Sequence, residues 1–227
     1  QIPIIETLRP FLIGLFVRFS PLPEIDTEHE SEELSKTNAG KKSVLQFPHL
    51  VLGAIAIFLH VGTQVIAIDT IIGYASSLGM NLLDAKVFPS YTLTAAICGY
   101  IAGIVLIPKL ISQTNMLKVC TLAGILLTLL IICISSSVSW LNHETDISIW
   151  FIVCLGAPNA LVWAGISPLA LVGLGRYTKD GSGLLIVVLV GNAILPLIYC
   201  ALADEFDFRP ASWFLFPSYL LLVFLEF

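Results

Sequence analysis

Between residues 47 and 227, short turns divide the chain into six apolar stretches, at about 47–78, 87–107, 117–138, 148–172, 182–203 and 210–227. A helix that crosses the hydrocarbon of a bilayer needs about 20 mainly apolar residues, and each stretch supplies that length or comes close to it. Composition agrees. Hydrophobic residues make up 57% of the chain and charged residues 12%, with a mean hydropathy of +0.93. A soluble domain carries roughly 25% charge and about 45–50% apolar residues. The chain reads as an all-α, multi-pass membrane protein.

The polar sequence lies mostly ahead of the first stretch. Residues 4–19, IIETLRPFLIGLFVRF, are short for a span and carry Glu6, Arg9, Pro10 and Arg18, so they read as a partial one. Residues 20–46 hold six acids between Glu24 and Glu33, followed by Lys36, Lys41 and Lys42. No apolar periodicity runs through them, which is the pattern of a solvated linker. The chain opens on Gln1 rather than Met, and its last apolar run reaches Phe227 with no polar tail. It is therefore expected to be a piece of a longer protein. Cys98, Cys120, Cys133, Cys154 and Cys200 lie in or beside apolar stretches without paired spacing, which suits free core thiols rather than a disulfide or a metal site. A net charge of −5 argues against a nucleic-acid partner.

Orientation follows from lysine and arginine. Lys36, Lys41, Lys42, Lys109, Lys118, Arg176 and Lys179 fall on one side of six alternating spans, and Lys86 and Arg209 on the other. The richer side is expected to face the cytoplasm, with the linker and the C-terminus on it.

Polar groups and prolines inside apolar spans are costly, and they persist where neighbouring helices or a wet cavity satisfy them. In the first span, His60 and Gln64 are four residues apart and share a helical face. Asp69 lies about 140° round from Gln64 on a straight helix, so a break, for instance near Gly62, is needed to bring it to the same cavity. In the fourth span, Asn159, Trp163 and Ser167 form an i, i+4, i+8 row, with Pro168 beside it. The fifth carries Asn192, Pro196 and Tyr199. An amide beside an indole suits a sugar, the amide bonding hydroxyls and the ring covering a pyranose C–H face. Gln64, Asn159, Trp163, Asn192 and His60 are thus the expected substrate-binding residues, and Asp69 the expected proton-coupling residue. Against this stands a plainer reading, in which these groups bond neighbouring helices and Trp163 belongs to an interfacial belt. Gly99 and Gly103, four apart, read as a close helix-packing site. No His-Glu-x-x-His, Gly-x-Ser-x-Gly or phosphate-loop motif is present, and the four histidines are scattered. No enzyme, cofactor or metal is expected.

Several stretches resemble the C-terminal half of the fucose–galactose–glucose:proton symporter group of the major facilitator superfamily, and most closely its bacterial glucose/galactose permease branch, related to the L-fucose permease. They are FSPLPEI at 19–25, FPHLVLGAIAIFLHVGTQV at 47–65, GYIAGIVLIPKLISQ at 99–113, GLGRYTKDGSGLL at 173–185 and ILPLIYCALAD at 194–204. The resemblance implies the six-helix C-terminal half of a twelve-helix transporter of two such halves, with sugar bound between them. Residues 1–19 would end the sixth helix, 20–46 would be the central cytoplasmic linker, and 47–227 would form the C-terminal bundle. The chain departs from the family at His60 (often Tyr), Gln64 (often Glu), Ala164 (usually Pro), Asn192 (usually Gly) and Cys200 (usually Gly). The implied function is proton-coupled uptake of a neutral hexose across a bacterial inner membrane. Its implied partners are the sugar, protons, lipid and the absent N-terminal half, and the alternative is a truncated, non-transporting remnant.

Overall fold

The computed structural model describes residues 43–107, 110–140 and 143–226. The expectations for residues 1–19 and for most of the linker lie outside these residues. Described structure begins with a short 3-10 turn, Val44–Gln46, capped by Ser43.

The first span is a helix, Pro48–Asp69, followed after Thr70 by a shorter one, Ile71–Ser77. Pro48 sits at the start, where its missing N–H has no intrahelical partner to lose. The second span runs from a short helix, Leu82–Ala85, into Phe88–Leu106. The third, Gln113–Cys133, is capped by the Ser112 hydroxyl, which accepts from the Asn115 N–H at 3.3 Å. The fourth is Ile147–Leu171, with Asp146 as its cap. The fifth is interrupted. Thr178–Val187 passes through a 3-10 turn, Val188–Val190, into Gly191–Phe206. The sixth begins at Phe208–Ala211 and continues as Leu215–Glu226. Among the described residues, five helices are long and apolar enough to cross a membrane, and the segment Phe208–Phe224 is a shorter apolar helix.

The apolar run read as one helix to Val138 departs from that reading. Its helix stops at Cys133, and Ser137–Trp140 pairs antiparallel with His143–Asp146. The run of Ser135, Ser136 and Ser137 lies at the change, and serine competes with the helix by bonding locally. The cysteines also differ from expectation. All are free, but only Cys120 is buried, whereas Cys98, Cys133 and Cys154 lie on the outside of the bundle.

Packing explains the arrangement. The fourth span touches the first, second and third, while the first touches the fourth, fifth and sixth, and the third touches the sixth. Exchanging the first three spans with the last three leaves this pattern unchanged. Each unit has an odd number of spans, so the second enters the bilayer from the opposite side. These are two inverted three-helix repeats. The first and fourth spans form the centre, with 50% and 61% of their apolar windows buried, against 22% for the second and the fifth.

Glycine sets the closest crossings. A Cβ on Gly99 would lie 2.3 Å from the Ala157 carbonyl oxygen, and one on Gly156 would lie 2.2 Å from that of Thr92. On Gly103 it would lie 2.4 Å from Leu161 Cδ2. At the symmetry-related crossing, a Cβ on Gly191 would fall 2.3 Å from the Phe58 carbonyl oxygen. Small residues at such points let helix backbones meet where no hydrophobic effect drives them together.

Gly156→Ala is therefore expected to force the second and fourth spans apart and to cost about 1–3 kcal/mol. Gly183→Ala meets nothing within 4 Å and is expected to leave stability unchanged or raise it by about 0.5–1 kcal/mol through helix propensity. Thermal unfolding of both variants in lipid nanodiscs checks the contrast.

Candidate functional site

The mid-span polar residues separate into two groups. Asn159 is 1% exposed and His60 fully buried. Both sit inside this bundle. Gln64 and Trp163 are half-buried, and Asn192 and Asp69 are exposed.

Asn159 is held by a contact that reaches through the bundle. Gly124 of the third span leaves a notch, since a Cβ there would lie 2.5 Å from the Tyr219 ring. Tyr219 of the sixth span fills it, and its hydroxyl donates to Asn159 Oδ1 at 2.7 Å. The Asn159 amide nitrogen and both ring nitrogens of His60 make no hydrogen bond among the described residues. Such a group costs about 1–3 kcal/mol when it is buried without a partner. Thr63 is buried beside them, but its hydroxyl donates back to the His60 carbonyl at 2.8 Å. Helical geometry brings His60 near the Asn159 level. Gly53 packs on Ala170 and Ile166, and two turns further on the antiparallel neighbours are Trp163 and Asn159.

The helix Pro48–Asp69 runs unbroken through Gly62, and its break comes at Thr70, whose hydroxyl donates to the Ile66 carbonyl at 2.6 Å. Asp69 therefore keeps the direction a straight helix gives it, away from Gln64. Within the row on the fourth span, Ser167 is occupied by its own helix, donating to the Trp163 carbonyl at 2.8 Å. Asn192 lies two residues past the Val188–Val190 turn in the fifth span, as the second residue of the helix Gly191–Phe206. A mid-helix 3-10 stretch of this kind often marks a place where a helix can flex.

A second polar network, which no local sequence pattern signals, closes the end that carries the hairpin. Arg209, at the start of the sixth span, pairs with Asp146 at 2.9 Å. Its guanidinium also donates to Ser148 Oγ at 3.3 Å and to the Tyr74 hydroxyl at 3.4 Å. Tyr74 in turn donates to Ser148 Oγ at 2.8 Å. Asp146 accepts further from Ser135 at 2.8 Å and from the Ser148 N–H at 2.9 Å. The third, fourth and sixth spans thus meet at one carboxylate, and Tyr74 ties the first span in through Arg209 and Ser148. A cavity of about 620 Å³ opens beside it, lined by Leu78, Ser137, Ser139 and Glu144, away from the mid-span residues.

Partial burial pushes the Asp146 carboxyl up, but hydrogen bonds from Ser148, Ser135 and Arg209 outweigh it and hold the group below its ordinary 3.8. A depressed carboxyl stabilises the fold above its unfolded value, and that contribution disappears as pH falls through the folded value. Acid titration of the wild type should therefore show a loss of stability below about pH 4 that Asp146→Asn lacks. Arg209→Met should cost about 1.5–3 kcal/mol at neutral pH, the range for a charged hydrogen bond. Thermal unfolding as a function of pH reads both.

The fold and these interior polar residues define a bundle of apolar helices in two inverted repeats, with polar groups buried at mid-span. Comparison with known proteins makes this specific. No family model matches the chain. It is 32% identical over 206 residues to the glucose/galactose transporter of Brucella abortus biovar 1 (strain 9-941), covering 89% of this chain and 47% of that protein. It is 27% identical over 194 residues to the putative glucose/galactose transporter of Helicobacter pylori (strain ATCC 700392 / 26695), covering 85% and 44%. The chain thus spans about half the length of the curated relatives it matches. Among solved structures, the Escherichia coli fucose:proton symporter FucP superposes with a TM-score of 0.76 at 17% identity, over 95% of this chain and 51% of that one. A second FucP structure, in the outward conformation, gives 0.77 at 17% identity over the same shares. The chain has the fold of a six-helix half of a major facilitator superfamily transporter, and it is related in sequence to glucose/galactose transporters.

Proposed function

We propose that the chain is the C-terminal half of a hexose permease. With a matching N-terminal six-helix half it would carry a neutral hexose such as glucose, galactose or fucose by alternating access, coupled to protons. The observation that carries this reading is the 206-residue similarity to a glucose/galactose transporter, confined to 47% of that protein, on a bundle that matches half of a fucose:proton symporter.

In this reading the sugar is met from outside the bundle by Gln64, Trp163 and Asn192, the residues that the half leaves accessible. The two amides bond hydroxyls and the indole covers a C–H face. Asn159 and His60 stand behind this face, and the bond from Tyr219 holds Asn159 in place. Asp69 is exposed at the end of its helix and is the residue of this half assigned to proton coupling. The lysine- and arginine-rich end faces the cytoplasm of a bacterial inner membrane, and the Asp146–Arg209 network faces outward. The least buried spans, the second and the fifth, supply surface for the partner half.

Uptake of radiolabelled glucose, galactose and fucose into proteoliposomes under an imposed pH gradient tests this. Uptake is expected with both halves and not with this chain alone. In that system Gln64→Ala and Asn192→Ala should each raise KM about tenfold, the loss of about 1.4 kcal/mol. Asp69→Asn should remove the response to the gradient. Absence of uptake from both preparations would leave the chain as a non-transporting remnant.

A further inference from the structure

Pro168 lies inside the fourth span, in the helix Ile147–Leu171. Its ring nitrogen carries no hydrogen, so the carbonyl four residues earlier, that of Ala164, loses its helical donor. A helix-breaking proline is tolerated in a membrane span where a neighbouring helix or a side chain serves the freed backbone group. A side chain from another span supplies the bond. Gln113 Nε2 donates to the Ala164 oxygen at 3.2 Å and lies 3.5 Å from that of Gly165.

The geometry that permits this is built into both helices. Gln113 is the first residue of the helix Gln113–Cys133, and the Ser112 cap fixes its position. Gly165 keeps the path open, since a Cβ there would press to 3.0 Å on Leu117 Cδ1, one turn beyond Gln113. A small cavity of about 80 Å³, lined by Ile107, Met116, Leu161 and Ala164 among others, lies at the same junction. One residue before Ala164, the carbonyl of Trp163 takes the Ser167 hydroxyl at 2.8 Å. This kind of back-bond tends to bend helices. Two successive carbonyls, at Trp163 and Ala164, are thus each served by a side chain at the point where proline interrupts the ladder.

We infer that Gln113 is a positioning residue, the surrogate donor for the bond that Pro168 removes, and that it sets the direction of the helix carrying Trp163. Its importance for transport rests on the permease reading above. Its role as a surrogate donor does not. Gln113 touches no substrate in that reading and acts through Trp163.

A double-mutant cycle tests the inference on the full chain in nanodiscs, read by hydrogen–deuterium exchange of the amides of residues 164–172. Gln113→Met keeps the length and removes the donor, and it should speed exchange there about tenfold. In a Pro168→Ala background the helix supplies its own N–H to Ala164, and adding Gln113→Met should change exchange by less than twofold. Gln113→Lys, which retains a donor, should stay closer to the wild type than Gln113→Met. An equal effect of Gln113→Met in both backgrounds, or no effect in either, would overturn the inference. If Gln113→Met fails to fold alone but folds with Pro168→Ala, the inference is supported. Uptake with the partner half is measured alongside. An increase in KM for Gln113→Met that Pro168→Ala removes places the effect on Trp163. Absence of uptake from the wild type counts against the permease reading and leaves the exchange cycle to decide the bond.

Discussion

The structure depends on backbone meeting backbone where two pairs of spans cross. Gly99 and Gly156 bring the second and fourth spans together, and Gly191 does the same for the fifth and first. In a bilayer, lipid tails are as apolar as leucine, so helices gain little from burial and must associate through close packing and hydrogen bonds. The glycines provide the packing. With the two central spans fixed by these crossings, the remaining helices attach around them in the same order in both repeats. The polar residues then find their places as consequences. Tyr219 reaches Asn159 because Gly124 makes room, and Gln113 reaches Ala164 because Gly165 does.

Satisfaction of polar groups is the second constraint, and the chain meets it unevenly. At the hairpin end, Asp146 is bonded by Arg209, Ser135 and Ser148. Midway through the bundle, the amide nitrogen of Asn159 and both nitrogens of His60 make no such bond among the described residues. Buried polar groups that a bundle leaves partly unserved are expensive, and they concentrate where a membrane protein works. The expensive groups here stand directly behind the residues assigned to the sugar.

How much of this was legible in the sequence depends on which physical signal each feature leaves. The helical, membrane-spanning character was legible because length and apolarity specify it, whereas the end of the helix at Cys133 and the interruption at Val188–Val190 were not. The spacing of Gly99 and Gly103 also read correctly, since small residues four apart have one common use in a membrane helix. The inward faces were not legible. Helices such as Phe88–Leu106 and Ile147–Leu171 are apolar on every side, so periodicity does not separate the face that meets protein from the face that meets lipid. That is why Asn159 could be assigned to a sugar while the structure turns it to Tyr219. Tyr219 itself sits in the run LFPSYLLLVFLEF and left no polar pattern. The hairpin did leave one, the alternation of Ser137, Val138, Ser139 and Trp140, but the apolar run before it masked the change of period. Arg209 entered only as a charge count. Its partner Asp146 lies 63 positions earlier, beyond the reach of any local pattern.

The most direct measurement is thiol labelling of single cysteines in a chain with its five native cysteines replaced, paired with the matching N-terminal half in proteoliposomes. The account predicts that Asn192→Cys reacts with a water-soluble maleimide and is protected by the transported hexose, while Asn159→Cys does not react. Reaction of Asn159→Cys with protection by sugar, and an unreactive Asn192→Cys, would contradict it and place the sugar inside this bundle rather than against its outer face.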